Sequence, residues 1–338
     1  MKREIKAAHQ GASGRVYVGA LGLLLAIIAI AGLTFCAACS TSEEQKNKAD
    51  KKDKKQKQGS GTPFNGGTYE ASGTVYVPGA DGILFVDDSR PSEVFWMKID
   101  AAGQQVGDIK PINLGISVEN PEGITSDGSY YYIVGSQAMP KNGARNAIAR
   151  FAFDPATQTA KDASVIGSLR EWLLSRVADL KGAGEMKGSQ GGLNVEGLAW
   201  DPERKRLLIG LRSPIINGQA LIVPVKLGNP AGPFSADNLQ LDQDRAIPVS
   251  VGGSGIRDIQ YDNRLKSFLL ISGAPENEEK GDFILWQWDG KSQPVQKSVL
   301  DKKIKPEGVT SAEVGGQNFI YIVCDASRYT KIDYTDLD

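Results

Sequence analysis

Asn194-Val-Glu-Gly-Leu-Ala-Trp200, followed after a turn by Arg206-Leu-Leu-Ile-Gly-Leu-Arg212, is the stretch from which the fold can be read. A short acidic-Gly-apolar opening leads into a turn, and then into a β-rich run that ends on polar or small residues. The same pattern recurs along the chain. It opens at Glu70-Ala-Ser-Gly-Thr-Val-Tyr-Val77, at Pro121-Glu-Gly-Ile-Thr125, at Ile256-Arg-Asp-Ile-Gln-Tyr261 and at Pro306-Glu-Gly-Val-Thr310. The runs that follow are Gly82–Asp88, Tyr130–Ser136, Ser267–Gly273 and Phe319–Asp325. Self-similarity at intervals of about 40–50 residues or somewhat more is the mark of a repeat architecture, each unit being one supersecondary element.

Each unit continues into a third, amphipathic run: Glu93–Ile99, Ala147–Phe153, Ala220–Lys226, Phe283–Trp288 and Tyr329–Tyr334. A fourth and more polar strand fits Gly107–Asn113 and Pro294–Leu300. Three or four antiparallel strands per unit, the second apolar and the third alternating, is the pattern of a propeller blade. The fold expected is an all-β propeller of five blades, or six if residues 227–252 form a degenerate one. The last unit lacks a fourth strand, so ring closure calls for a strand near Phe64–Tyr69 to pair into it and remove the open edge. The longest interval holds an insertion. Ser168-Leu-Arg-Glu171 reads as a capping box, and Leu169, Trp172, Leu173, Val177 and Leu180 share one face, which predicts a helix over 168–181 at the rim or over one end.

The opening residues stand outside this pattern. Lys2, Arg3, Lys6 and Arg15 precede an uncharged run from Val16 to Ala38, long enough to span a bilayer. It ends on Cys36-Ala-Ala-Cys39-Ser40, which resembles a lipobox with Cys39 as the lipid-carrying residue, although Cys36 stands where an aliphatic residue is usual. Lipoprotein signal and uncleaved anchor both fit. The division expected is an anchor or signal at 1–39, a lysine-rich linker at 40–62 and the propeller at 63–338. The domain is expected outside the cytoplasm, in a bacterial cell envelope, held to the membrane by its N-terminus.

The chain has 338 residues and a net charge of −1. Its leader and lysine-rich stretch are both basic, so the propeller itself is acidic, which argues against a nucleic-acid partner. Beyond Cys36 and Cys39 only Cys324 remains, too few for a disulfide within the propeller. The single histidine is His9, which excludes a Ser-His-Asp or Cys-His triad and a His-ligated metal in the domain.

What remains is a set of recurring carboxylates. Glu70, Glu122, Glu196, Asp258 and Glu307 stand near the start of the innermost strand of successive units, and are expected to converge at one mouth of the axis. The second strands return antiparallel to the same mouth, bringing Asp88, Ser136, Arg212, Ser272 and Asp325 as candidate ligand-binding residues. Carboxylates crowded together stay ionised only if a cation or arginines neutralise them, and otherwise some hold protons. Arg212 and Arg257 are the candidate arginines. Ca2+, which takes six to eight oxygen ligands, is the cation best suited to Glu70, Glu122, Glu196, Asp258 and Glu307. The bland alternative is that these side chains bond neighbouring backbone N–H groups and lock blade to blade.

The segments Glu70–Gly73, Asn194–Trp200, Ile209–Pro214 and Gly218–Val225 resemble a bacterial family known as domain of unknown function family 3616, with the likeness running over roughly 68–335. That family is similar to esterase-like phytase propellers and has no activity attached to its name, so the resemblance implies a fold and no reaction. Three functions fit: a propeller that binds a cation or small ligand; a metal-dependent hydrolase of a phosphoester, ester or lactone; and a protein-interaction scaffold. In the hydrolase, Glu196 or Glu307 would be the base and Arg212 would hold the substrate anion.

Overall fold

The structure, a computed structural model, describes residues 61–139, 146–275 and 281–337. The expected anchor, Cys39 and nearly all of the linker lie outside these residues. No helix among the described residues is long and apolar enough to cross a membrane.

Five antiparallel sheets follow one another as blades of a propeller. Strand β1 (Thr62–Pro63) belongs to the last of them. Blade 1 is β2 (Ala71–Val77), β3 (Gly82–Asp87), β4 (Glu93–Lys98) and β5 (Lys110–Asn113). Blade 2 is β6 (Pro121–Ser126), β7 (Tyr131–Gly135), β8 (Ile148–Asp154) and β9 (Thr159–Ile166). Blade 3 is β10 (Asn194–Asp201), β11 (Arg206–Ser213) and β12 (Ala220–Leu227), edged by β13 (Leu239–Leu241) and β14 (Ile247–Val249). The stretch 227–252 therefore supplies a split outer strand to blade 3 and not a sixth blade, because β13 and β14 pair with opposite ends of β12.

Blade 4 is β15 (Gly255–Asp262), β16 (Ser267–Gly273), β17 (Phe283–Trp288) and β18 (Val295–Leu300). Blade 5 is β19 (Pro306–Val314), β20 (Gln317–Cys324) and β21 (Arg328–Asp333), completed by β1. The closing strand lies just ahead of the expected Phe64–Tyr69: Thr62 pairs with Tyr329 and Pro63 with Arg328. Phe64 and Tyr69 are core residues instead. The Phe64 ring stacks on Phe85 at 5.2 Å and lies 5.7 Å from Tyr329, so it seals the closure by packing.

The second strands are apolar through their middles because both of their faces are covered. Ile83 and Phe85 pack toward blade 5, whereas Leu84 and Val86 pack toward blade 2. One such core fills every junction between neighbouring blades. Cys324 is a buried member of the one between blades 4 and 5.

The insertion after blade 2 forms α1 (Leu169–Arg176) and then short 3-10 turns. Leu169, Trp172, Leu173, Val177 and Leu180 bury into the core between blades 2 and 3, as their spacing predicts. The capping box does not form. Ser168 makes no side-chain cap, and Glu171 instead accepts a bond from Asn146 Nδ2 at 3.1 Å. The insertion is fixed from within by buried Arg170, whose guanidinium donates to Gly184 O at 2.7 Å and to Gln137 O.

Candidate functional site

The inner strands β2, β6, β10, β15 and β19 surround the axis, and each carries a register shift at its start. The shifts fall at Ala71/Thr74, Pro121/Gly123, Val195/Gly197, Ile256/Asp258 and Pro306/Gly308. A bulge bends its strand and re-aims the extra side chain. Here the re-aimed residues are Ser72, Glu122, Glu196, Arg257 and Glu307, and all line a cleft of about 1080 Å³ at the mouth of the axis.

The position after the bulged residue is Gly73, Gly123, Gly197 or Gly308 in four blades. It has to be small, since a Cβ on Gly123 would come within 2.9 Å of Glu196 O and one on Gly308 within 2.3 Å of Ser72 O. In blade 4 the same position is Asp258. Its carboxylate fills the axis, accepting Ile259 N–H and Val309 N–H at 2.8 Å each, with Leu198 and Thr74 N–H as further donors. One side chain thus ties blades 1, 3, 4 and 5 together. Burial pushes the Asp258 carboxyl up well beyond the usual range, against the pull of those backbone donors. Beneath it Gln260 donates to Leu198 O at 3.0 Å and accepts from Thr125 Oγ1 at 3.0 Å, so the axis is filled with bonded polar groups.

Asp258 was expected at the mouth and is not there. It is fully buried, and both of its oxygens are held by backbone groups. Ser272 is corrected for the same reason. It faces its partner strand, where its Oγ accepts Trp286 Nε1 at 2.8 Å, and Gly273 takes the mouth-ward place. Both departures fall in blade 4 and both are one residue in register. In a strand one residue reverses the face.

Glu70, Asp88, Glu122, Ser136, Glu196, Arg212, Glu307 and Asp325 do line the one cleft. Glu70 arrives by a different route from the other acids. It occupies the repeat position of Asn120 and Lys305, as the matching bonds from Asp88, Ser136 and Asp325 N–H to the carbonyls of Glu70, Asn120 and Lys305 show. Carboxylate oxygens of Glu70, Asp87 and Asp88 lie within 4.8 Å of one another. Asp87, not singled out from the sequence, is engaged in its turn: it accepts Ser89 N–H at 3.0 Å and Glu70 N–H at 3.2 Å. Asn120 and Asn194 were missed as well. Each donates to the bulged glutamate two residues on, at 2.7 Å to Glu122 and 3.3 Å to Glu196. An Asn two places before the acid was the available signal.

The charges of the mouth are unevenly matched. Glu196 takes Arg212 Nη1 at 2.7 Å and Arg257 Nη1 at 3.3 Å. Arg257 Nη1 also reaches both oxygens of Glu307, at 2.9 and 2.8 Å. Burial opposes the Arg257 charge, but Glu196, Glu307 and Glu122 outweigh it and drive its pKa further up. Arg212 Nε is held by Ala274 O at 3.1 Å, so this guanidinium is built into the wall. Burial lifts Glu307 to about 7 although Arg257 pulls it down.

On the side of blades 1 and 2, by contrast, Glu122 accepts only neutral donors, Asn120 Nδ2 and Ser72 Oγ. Burial, and then the charges of Glu196, Glu307 and Asp88, push its carboxyl well up. Asp88, whose side chain still opens on the cleft, is carried to about 7 by its partial burial there and by Glu70 beside it. Lys305 pairs with Asp325 at 2.7 Å.

Fold and site together define a five-bladed propeller with a filled axis and a mixed-charge mouth. Residues 157–317 match the model of a family described as a protein of unknown function (DUF3616), a span that includes Glu196, Arg212, Arg257 and Glu307. No curated protein matches. Among solved structures, a glucose dehydrogenase is similar over 81% of this chain and 99% of its own, at 13% identity and TM-score 0.44. A luciferin-regenerating enzyme is similar over 80% and 88%, at 11% identity and TM-score 0.41. Likenesses this distant carry no residue role across. The chain is a β-propeller of unknown function.

Proposed function

We propose that this propeller is a binding protein, and that its mouth takes a cationic ligand on the side of blades 1 and 2. One observation carries the reading: Glu122 and Asp88 form no ion pair among the described residues, whereas Glu196 forms two, with Arg212 and Arg257, and Glu307 forms one, with Arg257. Glu122 is half-buried, and a carboxyl partly withdrawn from water among other acids either holds a proton or waits for a cation; Asp88, exposed to the cleft beside it, adds to the same negative field. The carboxylates of Glu70, Asp87 and Asp88, whose oxygens lie within 4.8 Å of one another in the cleft that Glu122 also lines, suit a hard ion such as Ca2+. The hydrolase is supported less, since Arg212, its expected anion clamp, is held by Glu196 and Ala274.

The test is thermal melting of the protein in EDTA against added Ca2+, Mg2+ or Mn2+, and against an alkylammonium salt. A ligand that binds only the folded state stabilises it by about 2.7 kcal/mol at a hundred times its Kd. The expected result is a concentration-dependent rise in Tm with at least one cation, lost in Glu122→Gln. If no cation of either kind shifts the melt, the reading is wrong.

The proposed setting is the outer side of a membrane, with the N-terminus as the tether. Metabolic labelling with palmitate, compared with Cys39→Ser, distinguishes a lipoprotein from an uncleaved anchor.

A further inference from the structure

Ring closure and one carboxylate of the mouth are carried by a single short segment. Gly61–Glu70 crosses from the outer edge of blade 5 to the start of the inner strand of blade 1, and Glu70 at its end lies with Asp87 and Asp88. Its share of the β-ladder is small. Strand β1 is two exposed residues long, and Pro63 has no N–H to give.

Side chains hold the rest of the segment. Phe64 and Tyr69, the only buried residues between Gly61 and Glu70, pack edge to face at 5.8 Å. Both also lie against Phe85 of β3, at 5.2 and 5.6 Å. Between them Gln105, from the connection of β4 to β5, pairs with Asn65 as a strand would. Its Oε1 accepts Asn65 N–H and its Nε2 donates to Asn65 O, each at 3.0 Å. From blade 5, Ser327 holds both aromatic positions: its carbonyl accepts Phe64 N–H at 3.1 Å and its Oγ accepts Tyr69 N–H at 3.0 Å.

A segment fixed by two aromatic plugs and a few side-chain bonds, with exposed residues between them, opens more easily than the sheets it crosses. Its contacts are not independent. Phe64 and Tyr69 share Phe85, and Ser327 bonds to both, so releasing one loosens the other. The last bonds are at the mouth, where Glu70 N–H donates to Asp87 Oδ2 at 3.2 Å and Glu70 O accepts Asp88 N–H at 3.2 Å. Opening of the segment therefore takes Glu70 away from the two carboxylates it meets there.

We propose that Gly61–Glu70 is a strap that opens as one unit, and that a cation bound by Glu70, Asp87 and Asp88 locks it shut. The lock rests on the cationic reading of the mouth; the strap does not. Hydrogen exchange on the full chain tests both. The amides of Asn65, Tyr69 and Glu70 are followed in EDTA, and then with whichever of CaCl2, MgCl2 or MnCl2 raises the Tm, at a hundred times its Kd.

A ligand that is lost on opening slows exchange by about a hundredfold at that concentration, the equivalent of about 2.7 kcal/mol. The three amides are expected to slow together by that factor, while the Gly232 amide, which closes a turn of blade 3 outside the cleft, is expected not to change. In EDTA, Gln105→Ala, at a residue that does not line the cleft, is expected to speed all three by at least about fivefold, the worth of one hydrogen bond. Faster exchange at Asn65 alone would show that the segment is no unit, and would overturn the strap. A melt raised by a cation with no slowing at Tyr69 and Glu70 would overturn the lock and leave the cationic reading standing. No rise in the melt with any cation would remove the cationic reading and the lock with it, and Gln105→Ala would still decide the strap.

Discussion

The mouth of this propeller is two half-sites made from the same repeat. On the side of blades 3 to 5, Glu196, Arg212, Arg257 and Glu307 form a chain of ion pairs. On the side of blades 1 and 2, Glu70, Asp88 and Glu122 face the same cleft with no arginine among them. The backbone is alike on both sides, with a bulge aiming one residue of each inner strand at the mouth. The repeat thus fixes where a side chain points, and its neighbours fix its charge state. One half is a wall, and the other is left able to respond to a ligand.

The contrast breaks most sharply at Arg257, the cation shared by Glu196 and Glu307. Removing one partner of a buried pair costs about 3 kcal/mol or more, because the remaining charge stays desolvated. Arg257→Met is expected to destabilise by that much in urea unfolding at pH 7, and Glu307→Gln added to it is expected to recover part of the loss. A loss below about 1 kcal/mol, the size of a surface pair, would mean that the paired half is not held by its ion pairs.

A smaller effect is expected on the axis beneath both halves. Asp258→Gly restores the residue that the other blades carry, but leaves the N–H groups of Ile259 and Val309 without their acceptor. An orphaned buried donor costs about 1–3 kcal/mol. The net loss is expected near the middle of that range, since a buried carboxyl disappears with the bond. Unchanged stability would make the two halves independent of this lock.

Much of this was legible in the sequence. The blades could be read because apolar second strands and alternating third strands follow directly from burial on two faces. The mouth-facing positions could be read in blades 2, 3 and 5, where Pro121-Glu-Gly, Val195-Glu-Gly and Pro306-Glu-Gly keep apolar, acid and glycine in fixed order. Blade 4 was misread because Asp258 is acidic and occupies the glycine place, so that chemistry and register pointed to different residues. Register decides, and it puts Arg257 at the mouth. In the same way Ser72, and not Glu70, is the bulged residue of blade 1. The pairing of Arg257 with two acids from neighbouring blades has no local signal, because it depends on strands fifty or more residues apart meeting at the axis.

The smallest effect has the opposite sign and separates the halves most cleanly. Asp88 is raised from its ordinary 3.8 to about 7, by burial first and Glu70 second. The unfolded chain therefore releases this proton at a lower pH than the folded protein does. Between the two values the unfolded state binds fewer protons, so the Asp88 contribution to stability falls as pH rises from about 4 to about 7 and is level above that. Asp88→Asn has no proton to release there and is relieved of the repulsion from Glu70. In melts from pH 4.5 to 8 without added cations, its Tm is expected to match the wild type at the acid end and to exceed it by a small margin at the alkaline end. Part of the wild-type slope is expected to persist in the variant, because Glu122 and Glu307 are raised as well. A variant less stable than the wild type at pH 8 would show that the Asp88 charge is already compensated, and the distinction between the two halves of the mouth would fall with it.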